Sequence, residues 1–167
     1  CGRVRGLGDV YRRQRDAGAG VDVSAGKTQH YFSVGYTRSD GATANSDFNK
    51  GNAFYSGKLT LPEFRLQWQT GLVTQNYGAN TFYSGLYPDQ YEATRRYLIS
   101  VSGETTGTFH LAPSVYWLRS TDHFQLIRNT STGENYHRTD VYGLNLNSYV
   151  DWALGRTSFG TEFRNEG

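Results

Sequence analysis

The sequence predicts an all-β fold, an antiparallel up-and-down meander of about eight strands. Three observations carry that expectation. Of 167 residues, 13 are Tyr, 20 are Gly and none is Met, with aromatics at 15%; Tyr, Thr, Ser, Gly and Asn suit strands and turns better than helix. Apolar residues recur with period two rather than 3.6. The connections between the periodic segments alternate, short then long.

The strands follow in order. Residues 17–25 form a weak first strand, with Ala19, Val21 and Val23 against Gly20, Asp22 and Ser24. In 29–38, Phe32, Val34 and Tyr36 oppose Ser33, Gly35 and Thr37; in 51–61, Ala53, Tyr55, Leu59 and Leu61 oppose Asn52, Ser56 and Lys58. In 64–74, Phe64, Leu66, Trp68 and Leu72 stand against Arg65, Gln67 and Gln69. Tyr97, Ile99 and Val101 then oppose Ser100, Ser102 and Glu104, and Phe109, Leu111, Val115 and Trp117 oppose His110 and Ser114. Pro113 lacks the N–H that a ladder needs, so a bulge is expected there. Tyr142, Leu144, Leu146, Val150 and Trp152 face away from Asn145, Asn147 and Asp151, and Phe159 and Phe163 away from Ser158, Glu162 and Arg164.

Short turns are expected near Gly26-Lys27, Pro62-Glu63, Thr106-Gly107 and Gly155-Arg156, with long loops at about 39–49, 76–94 and 119–138. In a meander all short turns then lie at one end and all long loops at the other, the asymmetry of outer-membrane barrels. The mid-strand charges Lys58, Arg65, Glu104, Asp151 and Glu162 all fall opposite the apolar set, as lipid contact requires, since an Arg or Lys at the bilayer midplane costs about 2–4 kcal/mol. Trp152 and Phe109 near short turns and Tyr36 near a long loop suit two interfacial aromatic belts. No run of 18 apolar residues exists for a spanning helix, whereas a spanning strand needs only about 9–11 residues. The meander is therefore read as part of a larger transmembrane β-barrel. Gly35, Ser56, Gly71, Ser100, Ser102, Ser114, Gly143 and Gly160 on the polar face suit a lumen wider than an eight-stranded barrel encloses.

The net charge of +2 points to no charged partner. The basic run at 12–16 reads as a short solvated segment rather than a nucleic-acid patch, because nothing downstream continues it. Cys1 is the single cysteine, which leaves no disulfide framework and no cysteine metal pair; its Cys-Gly start has the look of a processed lipoprotein end, but the plainer reading begins the chain inside a longer protein. No G-x-S-x-G, H-E-x-x-H or phosphate-binding glycine loop occurs, and catalysis finds no support.

The stretches HYFSVGYTRSDG, DFNKGNAFYSGKL, YGANTFYSGLYPDQYEATRRYLISVSGET, DHFQLIRN and TGENYHRTDVYGLNLNSYV resemble barrel strands and loops of TonB-dependent outer-membrane receptors, most nearly the vitamin B12 (cobalamin) receptor-like branch of Bacteroidetes. The resemblance spans 29–167 and is most specific over 77–104 and 122–147; residues 1–16 match poorly. It implies a 22-strand barrel of the bacterial outer membrane, a plug domain that contacts TonB and is missing from these residues, uptake of a small-molecule nutrient, and in some cases a surface lipoprotein as partner. The ligand class it implies includes cobalamin, siderophores and glycans.

Two segments are candidates for ligand contact. In 76–94, Tyr77, Asn80, Phe82, Tyr83, Tyr87 and Tyr91, with Arg95 and Arg96 at the strand mouth, combine rigid rings with adaptable hydrogen bonding; the same rings could equally pack the loop on itself as a lid. In 122–138, Phe124, Gln125, Arg128, Tyr136 and His137 are the candidates. His123 and His137 carry no ligand spacing, and Asp40, Asp47, Asp89 and Asp122, though able to seek Ca²⁺, lack an EF-hand pattern; no cofactor is expected. Asn129-Thr130-Ser131 fits a glycosylation acceptor that means little on a bacterial surface. Two other architectures compete. A complete small barrel, an adhesin or structural protein, requires 17–25 to pair with 157–164. A soluble carbohydrate-binding β-sandwich requires Phe32, Leu66, Trp117 and Leu146 buried between two sheets.

Overall fold

The computed structural model describes residues 8–9 and 14–167. They form one antiparallel sheet, in strict sequence order, of β1 (Gly8–Asp9), β2 (Gln14–Ala25), β3 (Thr28–Ser39), β4 (Phe48–Thr60), β5 (Phe64–Gly78), β6 (Tyr91–Thr105), β7 (Phe109–Gln125), β8 (Asn135–Trp152) and β9 (Gly155–Glu166). The eight long strands are the expected meander, and β1 is a two-residue addition against Gln14 and Arg15. The expectation for Cys1 and the first two residues of the basic run, 12 and 13, lie outside the described residues, but Gln14, Arg15 and Asp16 belong to β2, three residues earlier than the alternation marks its start.

The register sorts side chains as the alternation predicts. On one face, the ladder places Val21, Phe32, Tyr55, Thr70, Ile99, Trp117 and Tyr142 in a single row across seven strands. The opposite face carries Lys58, Arg65, Glu104, Asp151 and Glu162, with Arg65 and Glu104 paired at 3.7 Å. Almost nothing is buried: among the described residues only Ala79 and Val141 count as apolar core. Phe32 and Leu146 are exposed and Leu66 and Trp117 only half-buried, so the two-sheet sandwich is not what this chain builds. Nor do β2 and β9 pair; the sheet is open at both edges among the described residues.

Loops and turns depart from expectation in ways with clear causes. The long connections shrink to 40–47, 79–90 and 126–134 because the strands continue past the apolar region with polar residues on both faces. The last turn is Ala153-Leu154, with Gly155 and Arg156 already paired in β9. At the first turn, Gly26 takes φ +58° as the first central residue of a two-residue hairpin, a position that suits glycine. Pro113 makes no bulge: it pairs with Leu146 in an unbroken β7–β8 ladder. Instead the β6–β7 ladder ends at Ser102 and Ser114, and the Thr105 hydroxyl receives the Leu111 N–H at 2.8 Å.

Several small residues have a local purpose other than a wide lumen. The Tyr116 ring lies across Gly143, where a Cβ would come within 2.1 Å of it, and Asn52 lies across Gly35. On the apolar face Trp68 lies across Gly57 at 2.2 Å and donates its indole N–H to the Tyr55 hydroxyl, which also meets His30 Nδ1 at 3.0 Å. Gly57→Ala must displace the Trp68 ring and is expected to cost about 1–3 kcal/mol. Chemical unfolding of the variant beside Gly85→Ala, whose added methyl meets nothing, checks it; equal costs would refute the packing account.

Candidate functional site

The three long loops lie at one end of the sheet and are tied together. Asn45, in the first, adopts φ +50°, a left-handed conformation that Asn tolerates better than most residues. Its amide donates to the Pro88 and Gln90 carbonyls at 3.0 and 2.6 Å, reaching the second loop. Its Oδ1 accepts from Arg128 at 3.1 Å, reaching the third. Arg128 also grips both oxygens of Asp47 at 2.6 and 3.0 Å, donates its backbone N–H to the Asp89 carbonyl at 2.7 Å and lies 4.9 Å from the Tyr91 ring centre. This fork holds the Asp47 carboxyl below the usual carboxylate range, against the opposing effect of partial burial.

The aromatic loop 79–90 has a fixed base and a free crest. At the base, Ala79 and Gln90 are 4% and 0% exposed; Ala79 N–H donates to the Gln90 carbonyl at 2.8 Å, and Tyr83 N–H to Gln90 Oε1 at 3.0 Å. Asn80 binds Ala44 and Asn45 of the first loop. Tyr83 folds back onto the polar face: its ring meets Phe124 edge-on at 5.4 Å, and its hydroxyl donates to Glu92, which sits opposite Tyr77 in the β5–β6 ladder. The carboxylate raises the Tyr83 hydroxyl above its ordinary pKa. Phe82 leans on Tyr83 but is 74% exposed, and Leu86 is 84% exposed. Thr81, just before Phe82, takes φ +54°, a conformation costly for a β-branched residue, of order 1–3 kcal/mol. The loop thus combines a self-packed base of Asn80, Tyr83 and Gln90 with an open crest of Phe82 and Leu86.

Four of the five candidates in the second segment lie on strands. Phe124 and Gln125 end β7, and Tyr136 and His137 begin β8. The ladder pairs His123 with Tyr136 and Asp122 with His137, so His123 and His137 face opposite sides and do not meet. His123 instead stacks on Tyr136 at 4.3 Å, and both bond Glu134, at 2.7 and 2.8 Å; the Tyr136 hydroxyl first, then His123, holds the Glu134 carboxyl below its ordinary pKa. Arg95 and Arg96 likewise point to opposite faces. The four aspartates weighed for Ca²⁺ do not gather: Asp40 pairs with Arg38 and Asp47 with Arg128, and no group of three His, Cys, Asp or Glu side chains converges among the described residues.

Asn45, Asp47, Gln90, Glu92, Glu134 and Asp140 organise this end of the sheet, and their roles carry no local sequence signal. Asp140 accepts the Arg119 fork at 2.7 and 3.1 Å and the Trp117 N–H at 2.9 Å on the apolar side. Chemically, the end of the sheet offers exposed rings, hydrogen-bonding amides and arginines. Comparison of the chain with protein-family models, curated proteins and solved structures gives no match.

Proposed function

We propose that the sheet is part of the wall of a bacterial outer-membrane β-barrel, a TonB-dependent nutrient receptor whose loop cluster contacts a small molecule such as cobalamin or a siderophore. One observation carries the membrane part. On the apolar face, rows from Phe109 and Trp152 up to Trp117 and Tyr142 contain no Asp, Glu, Lys or Arg and are half-buried to exposed, up to Phe163 at 63%. From Trp152 to Tyr142 the band is eleven residues tall, about 36 Å of strand or about 25 Å when tilted ~45°, the height of a barrel's lipid-facing band. Across eight strands spaced ~4.8 Å apart the band covers on the order of 1,000 Å², beyond the ~300–600 Å² that a soluble monomer leaves bare. The three tryptophan N–H groups find acceptors in Tyr55, Asp140 and Thr157, which suits a medium with no water to offer. No helix is long and apolar enough to cross a membrane, which says nothing about strands.

The receptor part is supported by the exposed crest of the aromatic loop and by the sequence resemblance; the plug, TonB and any surface lipoprotein enter through the resemblance alone. Cobalamin uptake and binding by the full-length receptor test it. Phe82→Ala is expected to weaken binding about tenfold, the scale of a central aromatic contact, while leaving the loop folded. Tyr83→Ala is expected to loosen the loop as well, because it removes the contact with Phe124 and Glu92. Unchanged binding of cobalamin and of a ferric siderophore in both variants would reduce the loop to packing.

A further inference from the structure

Just above the uncharged band, on the same face, lies a cleft of about 410 Å³ walled by Arg95, Thr121, His123, Tyr136 and Arg138. Arg95, Thr121 and Arg138 are consecutive partners across β6, β7 and β8. With strands ~4.8 Å apart, the two arginine backbones are about 10 Å apart and bracket the threonine. Arg95 is exposed and makes no ion pair among the described residues. Arg138 is 67% exposed and reaches Asp140 only at 3.4 Å, because Arg119 and Trp117 already occupy that carboxylate. Arg95, Arg119 and Arg138 stand against the carboxylates of Asp140 and Glu134, which leaves one positive charge uncompensated (3 − 2 = 1), and Asp122, which also lines the cleft, carries its side chain on the opposite face. His123 and Tyr136 are both spent on Glu134 and supply a flat aromatic wall.

We infer that this cleft holds the phosphate of a lipid headgroup, resting on the membrane reading above. Two guanidinium forks suit phosphate oxygens bidentately, and the negative charge of a phosphate offsets the surplus positive one. The position selects a lipid over a free ion. Tyr97 is two residues from Arg95 on the same face, and Ile99, Val115 and Leu144 continue below it, so acyl chains can descend along the band while the headgroup stays in the cleft.

The test uses the chain folded in dodecyl maltoside micelles, with dodecyl phosphate and inorganic phosphate as probes read by ³¹P NMR. Dodecyl phosphate is expected to bind, and the double variant Arg95→Gln with Arg138→Gln to weaken it about tenfold or more. Arg95→Lys with Arg138→Lys, which keeps the charge but not the forks, is expected to fall between. Lys50→Gln, on the opposite face of β4, serves as the charge control and is expected to bind as the parent does. Circular dichroism establishes that each variant keeps its strands. Equal affinity in the parent and the double Gln variant overturns the site. Inorganic phosphate binding as tightly as dodecyl phosphate overturns the lipid assignment. A chain that folds in water and stays out of micelles overturns the membrane reading and this inference with it.

Discussion

Val115→Arg is expected to destabilise the bilayer-inserted chain by about 2–4 kcal/mol, while Ser100→Arg changes it by no more than about 0.5 kcal/mol. Val115 lies between Val101 and Leu144 near the middle of the uncharged band and is 48% exposed. Ser100 lies on the other face, opposite Gln69 and Tyr116. Neither position is buried by protein, so packing does not distinguish them. On the proposed membrane reading only the medium does: hydrocarbon on one side cannot solvate a guanidinium, and a polar lumen on the other can. Urea unfolding from phospholipid vesicles measures both variants. Equal costs would refute lipid contact at Val115, and the assignment of the band would fall with it.

The second large effect belongs to the loop staple. Arg128→Ala is expected to cost the loop cluster about 1–2 kcal/mol, between the ~0–1 of an exposed ion pair and the ~1.5–3 of a shielded, charge-assisted bond. The Arg128 and Asp47 side chains are each 32% exposed, which sets the intermediate value. The Gly78 and Asn80 amides, which donate to the Asp47 and Asn45 carbonyls, report the opening; their hydrogen exchange should accelerate about 5–30-fold. The contribution also has a pH signature. The Asp47 carboxyl is held low by the Arg128 fork, so its stabilisation is complete above the ordinary carboxylate pKa of about 4. It is lost as pH falls below that, through the depressed folded value. Protection of Gly78 and Asn80 should therefore be flat from pH 7 to about 5 and drop in acid; Asp47→Asn should abolish the drop. A drop that persists in Asp47→Asn would assign the acid sensitivity to another group.

The membrane-height part of each strand was legible because its two faces differ so sharply in chemistry: Phe109, Leu111, Val115 and Trp117 against His110 and Ser114 admit one phase only. Above the band that contrast ends. Arg119 to Gln125 and Asn135 to Arg138 put polar residues on both faces, so they read as loop although the ladder runs through them. The rim aromatics were legible as a set, but not the division between Tyr83, bent onto Phe124, and Phe82, left free. That division depends on Gln90 and Glu92, whose partners are fixed by the turn geometry. The Asp47–Arg128 pair joins residues 81 apart with an entire hairpin between them, a relation no local pattern encodes. Asp140 carries no signal of its own in the sequence; the β7 and β8 extensions set it opposite Arg119.

The staple has a kinetic consequence. Every strand of the meander pairs with its neighbours in sequence, so the sheet grows hairpin by hairpin at low loop-closure cost. Arg128 can meet Asp47 only after β4 through β7 are in place, since the chain between them must first fold back three times. Contacts made that late are absent from the rate-limiting ensemble and act on the way out rather than the way in. Cutting the staple should leave the rate of assembly nearly untouched and hasten disassembly, making the rim the clasp that sets how long the folded sheet persists.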